Sequence, residues 1–130
     1  MPWEVELNPQ IQEWYRSLDQ RGAHKFAAAL DRLQERGPSL GRPFADRIKG
    51  SRHNNMKELR AGSMRALFAF DPRRHAVVLV AGDKSNDWRG WYQRNIPIAD
   101  RRYDQHLHNI GGGEHRWARG TGAKSVTSER

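Results

Sequence analysis

Six consecutive apolar residues, Ala76-Val77-Val78-Leu79-Val80-Ala81, run without polar alternation, so a strand built from them has to be covered on both faces. The rest of the chain must supply that cover. Two further strand-like runs precede it, Asn55 to Arg60 and Met64 to Phe70. The connections, Ala61-Gly62-Ser63 and Asp71-Pro72-Arg73-Arg74, are short enough to demand antiparallel hairpins. Strand parity then assigns faces: Met64, Ala66, Phe68 and Phe70 point inward with Leu59, while Glu58, Arg60 and Arg65 gather on the opposite face.

The N-terminal third reads differently. Trp3-Glu4-Val5-Glu6-Leu7 alternates with the period of a strand that buries one face. Asn8 is placed to cap a helix with Pro9 in its first turn, and Ile11, Trp14, Tyr15 and Leu18 follow on one helical stripe. Arg21-Gly22 interrupts this helix, and a second one carries Phe26, Leu30 and Leu33 until Gly37-Pro38, making a helical hairpin. Ser39 to Asn55 offers only Leu40, Phe44 and Ile48 for burial and reads as a loop over the sheet edge. Asp83 to Asn95 is polar and Trp-rich without a regular pattern. Pro97 opens a last helix in which Ala99, Tyr103, His106, Leu107 and Ile110 share a face, ending at Gly111. The predicted order is β-α-α-β-β-β-α, an α+β fold with a small, mostly antiparallel sheet. Residues 1–110 form its one domain, and 111–130, with five glycines, form a disordered basic tail.

The chain has 130 residues and no cysteine, which excludes disulfides and thiolate metal sites. No apolar run approaches the ~20 residues of a membrane span, and the N-terminus lacks an apolar signal core, so the expected compartment is the cytoplasm, with no membrane partner. The formal charge is +8. Residues 41–110 hold 14 Lys and Arg against 7 Asp and Glu, whereas 1–40 hold 5 against 6. A basic centre calls for an anionic partner, nucleic acid or an acidic protein, unless it is simply a solvated surface.

Position favours the first. Glu58, Arg60 and Arg65 share a sheet face, Lys57 precedes them, Lys84 follows the interior strand, and Arg89, Trp91 and Tyr92 come within reach of that strand's end. Cations for phosphate and rings for unstacked bases are what RNA recognition uses. The plain alternative is a wet sheet face holding a Glu58–Arg ion pair. His106 reads as a hydrogen-bonded core histidine. His106 and His108, two apart on a helix, cannot together grip one metal ion. His53 and His75 sit beside turns within possible reach of the patch, and Asp100 supports the last helix.

The succession Lys57-Glu58-Leu59-Arg60, Gly62-Ser63-Met64-Arg65-Ala66-Leu67-Phe68-Ala69-Phe70-Asp71, Val78-Leu79-Val80-Ala81-Gly82-Asp83-Lys84, then Trp91-Tyr92 through Ile98-Ala99-Asp100 to Tyr103 resembles the RelE/ParE toxin superfamily, especially its HigB-like branch. The resemblance covers residues 3–110. It implies the toxin of a bacterial type II toxin–antitoxin pair that enters the ribosomal A site and cuts mRNA without metal or cofactor, the 2′-OH attacking the adjacent phosphate to leave a 2′,3′-cyclic phosphate and a 5′-OH. It assigns Arg60 and Arg65 to the phosphate and its transition state, Lys84 to a phosphate-binding or proton-donating role, and Tyr92 to stacking on a base. Lys57, Arg89 and Trp91 would bind RNA. Glu58 departs from the RelE branch, which has lysine there, so it is either a carboxylate base weakened by neighbouring cations or a structural ion-pair partner. The HigB-like branch implies an acidic helix-turn-helix antitoxin, HigA-like, through which alone the toxin would meet operator DNA. A ParE-like gyrase poison and a catalytically inactive RNA-binding relative are the competing readings.

Overall fold

The apolar run forms strand β5 (Ala76–Asp83), and its residues from Ala76 through Val80 are all buried. The computed structural model describes residues 2–111; the expected tail lies outside them, apart from Gly111. β5 is flanked by β1 (Val5–Leu7), which runs parallel to it, and by β4 (Met64–Phe70), which runs antiparallel. β4 pairs with β3 (Lys57–Ala61), and β3 with β2 (Ala45–Arg47), giving the sheet order β1-β5-β4-β3-β2. The helices are α1 (Pro9–Ser17), α2 (Gln20–Arg36) and α3 (Trp88–Gly111), with a single 3-10 turn at Gly37–Ser39.

The helical hairpin forms as expected, with Asn8 accepting from Gln10 N at 2.9 Å and Pro9 in the first turn of α1. The break between α1 and α2 is set earlier than Arg21-Gly22. Asp19 caps α2 by accepting from Gly22 N at 2.7 Å, so Arg21 and Gly22 lie within its first turn. Leu30 and Leu33 of α2, Ile11 of α1 and Leu59, Ala66 and Phe68 of the sheet make one core. Each of the leucine, isoleucine and phenylalanine side chains contributes roughly 1.5–3 kcal/mol by leaving water.

The opposite sheet face is not wet. α3 covers it, and Trp91, Ile96, Ala99 and Tyr103 pack on Leu67, Ala69, Val77 and Leu79 in a second core. β4 therefore buries both its faces, and the expected alternation holds only for charged Arg65. Two other expectations fail for related reasons. The loop over 39–55 contains edge strand β2, whose pairing with β3 rather than any alternation of its own makes it a strand. The last helix starts at Trp88, and Pro97 lies inside it.

Glu6 alternates away from the first core yet is buried. Arg73 Nη2 donates to Glu6 Oε2 at 2.6 Å and to Asp71 Oδ2 at 2.8 Å, and His75 Nδ1 meets the same Glu6 oxygen. Glu6, Asp71 and His75 lie close enough to surround a metal ion, but the Arg73 guanidinium already bridges the two carboxylates as their cation. His106 is fully buried at 2.7 Å from Asp71, which makes it the hydrogen-bonded core histidine expected. No helix among the described residues is long and apolar enough to cross a membrane.

Candidate active site

Glu58 is the centre around which the charged groups of the sheet meet. The β3–β4 register sets Arg60 directly opposite Arg65, and β3 parity brings Glu58 to the same face. Glu58 Oε2 accepts from Arg60 Nε at 2.8 Å. Its Oε1 lies 3.7 Å from Arg65 Nε and accepts the hydroxyl of Tyr92, delivered from the second turn of α3. Arg60 Nη2 also reaches Asp46 Oδ2 of β2 at 3.3 Å. Arg65 Nη1 donates to the carbonyls of Gly62 at 2.7 Å and Met64 at 2.9 Å, which folds the guanidinium over the hairpin tip.

Glu58 is buried, and the Arg65 side chain is only 12% exposed, against 31% for Arg60. Burial, reinforced by the hydrogen bond and the charge of Glu58, pushes the Tyr92 phenol up to about 12. Tyr92 thus holds its proton firmly and is a donor rather than a base. A cavity of about 200 Å³ opens beside this pair, lined by Arg47, Ile48, Lys49, Glu58, Tyr92 and Ile96. Arg47 and Lys49 add two cations that the sequence, read as a loop there, did not single out.

The remaining expected residues divide. Lys84 follows β5, its backbone N–H bonded to Ser63 O at 3.1 Å, so it sits at the hairpin end of the sheet. Lys57 faces the other way: strand parity puts it with Leu59, and its ammonium approaches Pro38 O at 3.5 Å. Trp91 is buried in the α3 core and cannot offer its ring to a base. Its indole lies close over Gly82, where a Cβ would stand 2.6 Å from Nε1; only glycine leaves room there. The exposed indole at the start of α3 is Trp88, 54% accessible, with Lys84 Nζ 5.9 Å and the Arg89 guanidinium 5.5 Å from its ring. Among the three tryptophans and tyrosines at the start of α3, burial and not proximity in sequence selects the accessible one. His53 pairs with Asp104 at 2.8 Å and His75 with Glu6, so neither joins the cluster. Asp100 accepts from Ser51 Oγ at 2.5 Å and Arg52 N at 3.1 Å, fastening the loop before β3 to α3.

Guanidinium groups of this kind can bind a phosphodiester, and a carboxylate and a phenol set beside them can accept and donate protons. Residues 13–104 match the family described as phage derived protein Gp49-like (DUF891). The chain belongs to the Gp49-like family. Two Mycobacterium tuberculosis (strain ATCC 25618 / H37Rv) relatives are similar to it. One, named as toxin HigB3, is 47% identical over 111 residues, which is 84% of this chain and 97% of that one. The other, named as toxin HigB2, is 44% identical over 110 residues, 81% of this chain and 54% of that one. The Gp49-like fold is also similar to a solved archaeal RelE–RelB complex from Pyrococcus horikoshii OT3, with a TM-score of 0.55 and 17% identity, covering 66% of this chain and 99% of that one.

Proposed function

We propose that this Gp49-like protein is the toxin of a bacterial toxin–antitoxin pair and that it acts in the cytoplasm as a ribosome-dependent mRNA endonuclease. Kinship with proteins named as HigB toxins supports the first half. The observation that carries the second is the Glu58 carboxylate bracketed by Arg60, Arg65 and Tyr92.

In this reading Arg60 and Arg65 hold the scissile phosphate and the charge that grows on it, as donors aimed at a developing oxyanion do. Glu58 takes the proton of the 2′-OH as that oxygen bonds to phosphorus. The bond from phosphorus to O5′ breaks, and Tyr92 gives its proton to the leaving oxygen. The products are a 2′,3′-cyclic phosphate and a 5′-OH. Proton transfer from Glu58 back to Tyr92 restores the pair, so no metal is needed. Lys84 steadies the phosphate, and Trp88, with Arg89 beside it, stacks an unpaired base in place of Trp91. Arg47 and Lys49 extend the cationic surface beyond the cavity.

An acidic antitoxin would cover this face in the resting cell, as RelE is found in complex with RelB in the archaeal structure; a helix-turn-helix antitoxin would also carry the toxin to operator DNA. Expression without antitoxin should arrest growth and leave mRNA ends bearing 5′-OH, and Arg65→Ala should remove both. DNA damage with continuing translation would point to a gyrase poison instead, and RNA binding without cleavage on purified ribosomes to an inactive relative.

A further inference from the structure

On the far side of the Arg60–Arg65 pair from the Glu58–Tyr92 cavity lies a second hollow of about 550 Å³. Arg60 and Arg65 form one wall, Lys25 and Arg32 of α2 the other, and Phe44 with Pro43 the rim. Four cations line it, and no carboxylate does so among the described residues. The Arg32 guanidinium lies over the Phe44 ring, 4.3 Å from its centre, and Phe44 is one of two large apolar side chains that remain exposed among the described residues. Arg32 Nε is buried without a hydrogen-bond acceptor, and Arg65 Nε has no hydrogen bond either, only the Glu58 carboxylate 3.7 Å away. A desolvated cationic donor left in that state costs free energy that an incoming anion recovers.

We infer that this hollow is an RNA phosphate subsite: Lys25 and Arg32 bind the phosphate neighbouring the scissile one, with Arg32 and Phe44 forming a flat surface for the attached nucleoside. The inference rests on the nuclease reading, because it takes the scissile phosphate to lie at Arg60 and Arg65. Those two arginines line this hollow and also bracket Glu58, which lines the first cavity, so a strand gripped there presents its next phosphate within one nucleotide's length. That continuity favours RNA over an acidic protein segment, whose charges have no such fixed spacing.

The test uses purified full-length protein and a single-stranded 2′-O-methyl RNA twelve-mer, which cannot be cleaved, titrated across salt without ribosomes. Lys25→Gln/Arg32→Gln should weaken binding about tenfold or more in 50 mM salt and reduce the slope of log K against log salt by about 0.7, the share of the one phosphate they neutralise. Lys25→Glu, at an exposed position that does not disturb folding, should weaken binding in the same direction. On programmed ribosomes the double variant should raise KM for cleavage and keep kcat. Unchanged RNA affinity and slope would overturn the subsite. So would a loss of antitoxin binding with RNA affinity intact, which would assign the hollow to an acidic protein. A wild-type protein that binds the RNA with the expected slope and does not cut on ribosomes would sink the nuclease reading and leave the subsite standing.

Discussion

His106 Nε2 lies 2.7 Å from Asp71 Oδ2, and both side chains are sealed from solvent. Burial by itself would raise the Asp71 pKa. Hydrogen bonds from His106, from the His75 backbone N–H and from Arg73 overcome it and hold the carboxyl well below the usual carboxylate range. With the folded value below the unfolded one, near 3.9, the stabilisation is full above about pH 4 and drains away as pH falls below it. Asp71→Asn should cost about 3–5 kcal/mol at pH 7, as breaking a buried pair does. Urea unfolding at pH 7 and pH 3 should find the gap between variant and wild type smaller at the lower pH. An equal gap at both would place the stabilisation elsewhere.

Arg65→Ala should lower cleavage by about 10²–10³-fold or more, the scale of losing one transition-state donor. Arg65→Lys retains charge and loses the fork that reaches two carbonyls and the Glu58 side at once, so it should recover only part of the rate. Single-turnover cleavage on programmed ribosomes measures both. Full activity in the alanine variant would remove Arg65 from the mechanism.

Tyr92→Phe separates proton donation from stacking. Phenylalanine keeps the ring and loses the hydroxyl, so a donor role predicts kcat down by about 10²-fold, within the range of general acid catalysis, with KM little changed. Because the phenol is pushed up to about 12, its ionisation should leave no mark on the wild-type rate profile between pH 6 and about 9. A phenylalanine variant as fast as wild type would return Tyr92 to a stacking role.

Trp88→Ala and Trp91→Ala should have opposite signatures. Loss of the exposed Trp88 ring should weaken RNA binding by about 1–3 kcal/mol and leave the melting temperature nearly unchanged. Loss of the buried Trp91 should destabilise the fold by about 3–5 kcal/mol. Thermal melts and RNA titration on the same preparations decide, and a Trp88 variant that binds RNA normally would deny it the platform role.

Gly82→Ala should destabilise by about 1–3 kcal/mol, since the new methyl meets the Trp91 indole and must displace it. Gly82 is paired directly with Arg65, so the displacement should also lower activity at temperatures where the protein stays folded. A fully active variant of native stability would mean that α3 can shift without cost.

What the sequence disclosed follows from where local chemistry decides structure. Asn8 and Pro9 start α1 by their own hydrogen bonding and ring geometry, and the apolar run of β5 requires cover whatever surrounds it. Grouping Glu58, Arg60 and Arg65 needed only strand parity. β2 was hidden because three residues, Ala45–Arg47, have no period of their own and are made a strand by β3. The start of α3 was hidden because Pro97 resembles a helix opening. The true signal was Asp87, whose Oδ1 accepts from Gly90 N at 3.1 Å as a capping residue does. Without that helix in place, the burial of Trp91 and the exposure of Trp88 could not be told apart. Lys25 and Arg32 escaped notice because their nearness to Arg60 and Arg65 arises only when α2 crosses the hairpin tip.

The two rims of the sheet, β1 and β2, are each three residues long. An outer strand that short offers another chain too few free amides and carbonyls to zip onto. Among the described residues these two outer strands therefore give a second copy little to pair with, and the shared positive charge opposes close approach in concentrated solution.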